Sequence, residues 1–299
     1  MKKTTMLRKL LKEPGVLMLP TAYDSLSARI VETVGLKAIF MPSVMTNETQ
    51  FAMPNIGLAT ASEVINSAKY MANSINIPLI VGADDGYGGA LVAYRTTQEF
   101  IRAGVAGIYI SDRKHFILAK TPHNLVEVLP RNEYLGKMGA VLEARNELDK
   151  DFVIVARIDA GATLGYEEVI ARAKACVELG VDIILPHAVP TESKFKEMDK
   201  DDLKKFYKKM GAPEVTIWWG AAPHGLSAKD CEYMGAKIWV PTAPPTIAIE
   251  KALFDVYQEI YDTGNYIPDQ GIPIRDYSSN IRGLKFWREL EKKYVPEKR

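Results

Sequence analysis

Short runs of aliphatic residues recur along the chain, and stretches with apolar residues at helical spacing separate them. The runs are continuous rather than alternating, which is typical of parallel strands covered on both faces. They predict strands at residues 16–20, 38–41, 78–82, 107–110, 152–157, 182–186, 215–219 and 237–240. The stretches that follow them predict helices at residues 25–34, 61–75, 96–103, 132–146, 166–179, 201–209, 228–234 and 247–262. Strands that alternate with helices in this way predict parallel β/α units.

Glycines punctuate this pattern at Gly35, Gly104, Gly180 and Gly235, each of which follows a predicted helix and precedes an even-numbered strand. Glycine adopts the left-handed conformation that ends many helices without steric cost. Eight such units in about 260 residues predict a (β/α)8 TIM barrel, an α/β fold in one domain over residues 1–299. A doubly wound sheet is the alternative, but the first predicted strand is not followed by the glycine-rich phosphate loop of that fold.

Residues 264–299 form a predicted C-terminal extension, in which a loop with prolines and glycines precedes a helix at residues 278–294. Four apolar residues share one face of that helix: Ile281, Leu284, Trp287 and Leu290. Because a closed barrel leaves such a face uncovered, we expect a neighbouring subunit to cover it.

Composition narrows the classes of function. The chain has 38 Lys and Arg against 37 Asp and Glu, and 47% of its residues are hydrophobic. These values exclude a disordered chain and a disulfide scaffold, and they give no electrostatic footprint for nucleic acid. The basic ends, residues 1–8 and 291–299, are expected to be frayed and solvated. No apolar stretch is long enough for a membrane span, and the separate Cys176 and Cys231 suit core positions in a reducing cytoplasm.

Polar residues occur where a barrel places its chemistry, at the C-terminal ends of the strands. In chain order the candidates are Tyr23, Ser43, Asp84, Asp85, Ser111, Arg157, His187 and Trp218. Lys120 lies in the unusually long segment after the fourth strand, which is typical of a loop that closes over a site. A solvated surface lysine is the alternative.

Two features at the strand ends each have a functional and a structural interpretation. Asp84 and Asp85 precede a turn containing Gly86 and Tyr87, and they fit either a site for a hard divalent cation or a cap on that turn. Arg157 fits either a bidentate clamp for a substrate carboxylate or an ion pair with Asp159. Sequence alone leaves these alternatives open.

The other two candidates are equally two-sided. His187 is one of four histidines in the chain and is either a catalytic donor or a structural residue. Trp218 lies beside Trp219, and one of the two is expected to wall an apolar pocket while the other packs the barrel.

Several segments together resemble the phosphoenolpyruvate mutase/isocitrate lyase superfamily, from about residue 14 to residue 262. They are Tyr23-Asp24-Ser-Leu-Ser-Ala-Arg29, Gly35-Leu-Lys-Ala-Ile, Asp84-Asp-Gly-Tyr-Gly-Gly, Ala103-Gly-Val-Ala-Gly, Ala156-Arg157-Ile-Asp159-Ala and Gly180-Val-Asp182. The resemblance implies a barrel whose last helix is swapped between subunits of dimers and tetramers. It also implies Mg2+, a 2-oxo or 2-hydroxy carboxylate, and an enolate formed as a C–C or C–P bond breaks or rearranges.

The chain departs from the family pattern at its metal-binding acids. The first acid on strand three is Gly82 here, the acid after strand two is Asn55, and the acid after strand four is Ser111. Asp84 remains, and Asp85 adds a carboxylate one residue later. The resemblance therefore implies a weak Mg2+ site at Asp84 and Asp85, or none.

The departures extend to the loop after strand four. Residues 113–130 contain no cysteine, so the Cys-dependent lyase mechanism of the family is not expected. Lys120-Thr-Pro-His-Asn loosely matches the loop of the mutases and phosphonopyruvate hydrolases. His187 matches the mutase histidine after strand six, and Arg157 matches the arginine that binds the substrate carboxylate.

The leading hypothesis is an enzyme that acts on a small 2-oxo or 2-hydroxy carboxylate through an enolate, most closely a C–C bond lyase. The expected catalytic residues are His187, Lys120, Asp84, Asp85 and Tyr23, and the expected substrate-binding residues are Ser43, Arg157, Trp218, Gly86 and Tyr87. No organic cofactor, nucleic acid or membrane partner is expected. The alternatives are a phosphonate-pathway mutase or hydrolase, and a barrel without catalysis that serves binding or assembly.

Overall fold

Strands and helices alternate along the chain in the predicted order. The computed structural model describes residues 1–54, 56–114, 127–186, 199–212, 214, 216–219, 227–241, 244–265 and 281–295, with only the backbone for 162, 216–219 and 244. The strands in these ranges are β1 Leu17–Met18, β2 Ile39–Met41, β3 Leu79–Gly82, β4 Gly107–Ser111, β5 Val153–Ile158, β6 Ile183–Pro186, β7 Thr216–Trp219 and β8 Ile238–Pro241. Each lies within about two residues of its predicted bounds.

The helices in the same ranges are α1 Lys3–Lys12, α2 Ser25–Val34, α3 Ser43–Phe51, α4 Ala61–Ser74, α5 Ala90–Arg102, α6 Arg131–Leu148, α7 Gly161–Leu164, α8 Tyr166–Leu179, α9 Lys200–Lys209, α10 Ala228–Tyr233, α11 Pro244–Thr263 and α12 Leu284–Tyr294. The four glycines predicted to end helices all have left-handed backbone angles, with φ between 85° and 98°. None of the described helices is long and apolar enough to cross a membrane.

All strand pairs are parallel, and the strands close into the predicted barrel. β2 to β6 pair in order in one sheet, and β1, β8 and β7 pair in a second. The backbone N–H of Phe40 donates to Pro20 at 3.0 Å, which joins the end of β1 to β2. The N–H of Ile184 donates to Glu214 at 3.1 Å, which joins β6 to the start of β7. The ring of eight strands is therefore complete, and the α/β barrel assignment is confirmed.

The first helix closes the N-terminal end of the barrel. Leu7, Leu10 and Leu11 of α1 are buried in the same apolar cluster as the inward-facing residues of the strands. Arg8 donates to the carboxylate of Asp182 at 2.5 Å, just ahead of β6. The expectation that residues 1–8 are frayed is therefore wrong, because three leucines on one face of α1 cover the barrel interior.

The helices α3 and α5 also differ from the sequence prediction. No helix was predicted over the residues of α3, which buries Met45 and Thr46. α5 begins at Ala90 rather than at residue 96. Leu91 is 86% exposed, so the first turn of α5 lacks the apolar periodicity that marks a packed helix.

The C-terminal helix α12 presents an apolar surface that the described residues of the chain leave uncovered. Among the described residues of α12 no side chain is buried, and Phe286 and Trp287 are about 60% exposed. Ile281, just ahead of α12, is buried. Coverage of this face by a second subunit stays a prediction.

We expect Leu7→Ala to lower the free energy of unfolding by about 2–5 kcal/mol, because it opens a cavity under a fully buried side chain. Chemical denaturation measures the change. Lys9→Ala, an exposed position on the same helix, is the control and should change stability little. Equal effects of the two substitutions would mean that α1 does not close the barrel in solution.

Candidate functional site

Polar side chains from several strand ends meet at the C-terminal rim of the barrel. The strand register pairs Gly82 with Tyr109 and Ser111 with Arg157. All four positions face the barrel interior, and the second pair lies one layer of side chains closer to the C-terminal end than the first. We use the name rim cluster for Ser43, Asp84, Tyr109, Ser111, Arg113, Arg157 and Asp159. All seven are at least 94% buried. The rim cluster brings together four of the candidate residues that the sequence placed at strand ends, Ser43, Asp84, Ser111 and Arg157.

The carboxylate of Asp159 holds the rim cluster together. Arg157 donates to it from Nε at 2.8 Å and from Nη2 at 3.1 Å. Arg113 donates from Nη2 at 2.8 Å, and the Ser111 hydroxyl donates at 2.7 Å. Buried charges are stable when they are paired and hydrogen-bonded in this way. The structure therefore contains the ion pair between Arg157 and Asp159 that was one of the two interpretations of Arg157, and Asp159 sets the orientation of the guanidinium.

A second carboxylate supports the first. Asp112 accepts the backbone N–H of Asp159 at 2.7 Å and a guanidinium nitrogen of Arg172 at 3.2 Å. Burial raises the pKa of Asp112 to about 7, and the negative charge of Asp159 adds to that effect. Sequence reasoning assigned no role to Asp112 or Arg172. Asp112 directly follows the end of β4, which was an available signal, whereas Arg172 lies within α8 and reaches the rim only through packing.

Asp84 is the buried carboxylate best placed for proton transfer. The Ser43 hydroxyl donates to it, and its backbone lies in the left-handed region with φ 46°. Burial raises the pKa of Asp84 to about 7, although the Ser43 hydrogen bond and the charge of Arg157 oppose that rise. A carboxyl group with a pKa near neutrality can act as an acid or as a base.

The turn after Asp84 is tight, and its neighbours explain its residues. Asp85 accepts the backbone N–H of Tyr87 at 2.8 Å, so the turn-capping interpretation of Asp85 describes its contact. A Cβ on Gly86 would lie 2.9 Å from the Cβ of Ala93, and φ there is 83°. Only glycine meets both conditions without strain. Burial raises the pKa of Tyr87 well above its ordinary value.

Lys137 is a site residue that sequence reasoning missed. It lies on the buried face of α6 and donates to the carbonyl of Asp85 at 2.8 Å. Burial lowers its pKa, although the charge of Asp85 opposes that change. Asp84, Asp85, Tyr87 and Lys137 line a cavity of about 1160 Å³. The sequence signal for Lys137 was its position on the same face of α6 as Tyr134 and Val141, which are also buried.

The described residues do not fit the Mg2+ site that the resemblance implies. A Cβ at Gly82 would lie 2.8 Å from the ring and hydroxyl of Tyr109, so the position of the absent carboxylate is filled by another side chain. Ser111 donates to Asp159 instead of offering a carboxylate. Over the ranges that the structure covers, no three acidic, His or Cys side chains converge as metal ligands.

The remaining predicted residues lie apart from the rim cluster or beyond the described ranges. Tyr23 is half-buried at the same end of the barrel, where its backbone N–H donates to Ser27. In β7 the backbone of Trp218 pairs with Val240 of β8, but the side chain of Trp218 is not described. His187, Lys120 and Asn55 lie outside the described residues.

Comparison with known proteins finds similar chains of known activity. The family model for phosphoenolpyruvate phosphomutase matches residues 7–257. The chain is 28% identical to 2,3-dimethylmalate lyase of Eubacterium barkeri over 97% of both chains. It is 31% identical to the chloroplastic carboxyvinyl-carboxyphosphonate phosphorylmutase of Arabidopsis thaliana, over 97% of this chain and 84% of that one. The solved oxaloacetate acetylhydrolase with its product oxalate has a TM-score of 0.86, 26% identity and 99% coverage of both chains.

The raised pKa of Asp84 predicts a pH dependence of stability. The pKa of the Asp84 carboxyl is near its ordinary value of 3.8 in the unfolded chain and near 7 in the folded chain, so between these pH values the folded chain keeps a proton that the unfolded chain loses. The free energy of unfolding therefore falls as pH rises through this window, with a contribution of at most about 1.4 kcal/mol per pH unit.

Denaturation of Asp84→Asn from pH 4 to pH 8 tests this expectation. The variant should lose stability less steeply with rising pH than the native chain. Asp262→Asn, on the exposed end of α11, should keep the native slope. Parallel slopes for native chain and Asp84→Asn would show that Asp84 does not titrate in this window.

Proposed function

The chain belongs to the phosphoenolpyruvate phosphomutase family, and on that premise we propose that it is a C–C bond lyase of small 2-hydroxy or 2-oxo carboxylates. Its site would stabilise an enolate at the C-terminal rim of the barrel. The observation that carries the proposal is the buried Asp84, which accepts a hydrogen bond from the Ser43 hydroxyl in the same rim cluster as the Arg157–Asp159 pair. An acid–base group beside an oriented cation suits a reaction that moves a proton and develops negative charge.

The chemistry of such a cleavage assigns a role to each group. A base removes the proton of the 2-hydroxyl group, and the bond between carbons 2 and 3 breaks. Carbon 2 becomes a carbonyl, and the electron pair stays on the departing fragment as an enolate until a proton reaches it. Asp84 is the proposed base, and His187 is the proposed donor of the final proton.

The substrate contacts follow from the same arrangement. Arg157, oriented by Asp159 through Nε and Nη2, would bind the substrate carboxylate. Ser43 and the turn at Gly86 and Tyr87 would hold the opposite side. Lys120, in the segment that follows β4, is proposed to close the site, and Trp218 on β7 is proposed to form an apolar wall of the substrate pocket. Tyr23 remains a proposed participant at the edge.

Phosphoryl transfer is the second candidate, because one similar protein is a phosphorylmutase at 31% identity. A phosphoryl group needs strong neutralisation by cations, usually Mg2+. The filled space at position 82 counts against that candidate. Binding of phosphonopyruvate would distinguish phosphoryl transfer from the cleavage of a carboxylate without phosphorus.

A thermal-shift screen with oxalate, oxaloacetate, 2,3-dimethylmalate and phosphonopyruvate tests the proposal. We expect a carboxylate without phosphorus to stabilise the chain, by about 2.7 kcal/mol at 100 times its Kd. Hits are then assayed for cleavage products. A response to phosphonopyruvate alone would favour the mutase or hydrolase, and no response to any carboxylate would favour a barrel without catalysis.

Arg157→Lys tests the carboxylate contact. It keeps the charge but loses the planar fork, so affinity for the best ligand should fall at least about tenfold. Arg145→Lys is the matched control, because Arg145 donates to Asp182 at 3.2 Å near the other end of the barrel. Equal affinities for Arg157→Lys and the native chain would remove Arg157 from substrate binding.

We also propose that α12 joins two or more copies of the chain. The proposed place of action is the cytoplasm. Light scattering after size exclusion should give a homodimer or homotetramer for the native chain. The double variant Phe286→Glu with Trp287→Glu should shift it to monomer, because it places two charges in the apolar surface. Lys285→Glu, also exposed on α12, should leave the assembly intact. A monomeric native chain would contradict the proposal.

A further inference from the structure

Gly82 and Tyr109 are cross-strand neighbours inside the barrel, and one of them has no side chain. The register pairs them directly, and both face inward. A Cβ at Gly82 would lie 2.8 Å from Cζ and Oη of Tyr109 and 2.9 Å from Cε1. Real Cβ contacts are longer than this. Gly82 is not among the residues with positive φ, so the glycine is required by the space that Tyr109 occupies and not by backbone conformation.

The ring of Tyr109 is held in that space from several sides. It stacks on Phe40 with ring centres 5.8 Å apart, and the guanidinium carbon of Arg157 lies 5.3 Å from its centre. Arg157 also donates from Nη1 to the Tyr109 hydroxyl at 3.2 Å. These contacts fix the hydroxyl at the rim, beside the residue proposed to bind the substrate carboxylate.

The hydroxyl of Tyr109 is a neutral donor at physiological pH. Burial raises its pKa to about 12, although the charge of Arg157 and hydrogen bonds with Ser43 and Arg157 oppose the rise. A hydroxyl that accepts a hydrogen bond from a guanidinium is polarised, which strengthens its own donation. Such a donor in a site closed to water stabilises a developing oxyanion more than the same group in solution.

We propose that Tyr109 is a catalytic residue whose hydroxyl, together with Arg157, binds the enolate oxygen of the substrate, while its ring fills the space where a metal-binding carboxylate at position 82 would stand. This inference rests on the proposed function and makes it specific. The oxyanion is stabilised by two protein donors, and a divalent cation is not required. Because the Tyr109 side chain fills the space beside Gly82, the metal-binding acid of the family pattern has no room at position 82.

Titration calorimetry with oxalate, in EDTA and in Mg2+, is the first experiment. Oxalate is a planar dianion whose carboxylate oxygens carry delocalised negative charge, as do the oxygens of the enolate that forms on the departing carboxylate fragment. We expect the native chain to bind it with the same Kd in both buffers. Tyr109→Phe keeps the ring in the space at Gly82 but removes the hydroxyl, so its Kd in EDTA should rise about 10- to 100-fold.

Tyr207→Phe is the matched control, because Tyr207 is a buried tyrosine on α9 outside the rim cluster. It should bind oxalate like the native chain. The free energy of unfolding is measured for both variants, so that a loss of affinity is separated from a loss of fold. With an active substrate, Tyr109→Phe should lower kcat more than it raises KM, because the enolate exists only after the bond breaks.

The outcomes separate the two proposals. If no carboxylate binds the native chain, the proposed function fails and this inference fails with it. If oxalate binds only with Mg2+, the inference fails while a carboxylate enzyme stands. If oxalate binds in EDTA and Tyr109→Phe matches the native Kd, Tyr109 does not touch the ligand and the inference is likewise overturned.

A double-mutant cycle tests the exclusion at position 82 independently of any ligand. Gly82→Ala should destabilise the chain because its Cβ meets the Tyr109 ring. Combined with Tyr109→Leu, the same substitution should cost less than it does alone, because the smaller side chain vacates the space. Additive effects in denaturation would show that the two side chains do not compete, which would overturn the steric basis of the inference.

Discussion

The carboxylate of Asp159 is the group on which the rim of this barrel depends. It accepts hydrogen bonds from Arg157, Arg113 and Ser111 while having no measurable exposure. Two buried guanidiniums without this anion would be strongly destabilising, because unpaired charge in the interior is costly. The pairing sets the direction of Arg157, and Arg157 in turn holds the hydroxyl of Tyr109. The orientation of the site therefore depends on the ion pair between Arg157 and Asp159, which lie two residues apart at the end of β5.

This arrangement explains how a barrel of this family can carry a polar rim with few acids. Where a metal site gathers carboxylates around a cation, the rim here gathers guanidiniums around a carboxylate, and Tyr109 fills the space beside Gly82. Asp84 stays buried near these cations, and its pKa remains near 7 because desolvation outweighs them. Enolate chemistry needs a base and stabilised negative charge, and both are available from protein groups in this geometry.

Much of the fold could be predicted from local patterns, and the errors have physical causes. The strands were predictable because buried parallel strands are continuous aliphatic runs. α1 was missed because its leucines alternate with basic residues in a segment that reads as a charged terminus. α5 was placed late because Leu91 is exposed. Of the candidate site, Ser43, Asp84 and Arg157 were predictable, since each follows or ends a strand at the catalytic face.

The sequence by itself determined the barrel and the kinds of side chain at its C-terminal rim, because periodicity and chain order are local properties that a barrel converts directly into position. Only the tertiary structure decided which of these side chains touch. In the sequence Tyr109 is one of many apolar strand residues and Lys137 is one of many helical lysines. Cross-strand register brings Tyr109 to Gly82, and helix packing brings Lys137 to Asp85. The physical reason is that contacts between distant strands follow from pairing register and side-chain volume, and neither quantity is written in any single segment of the chain.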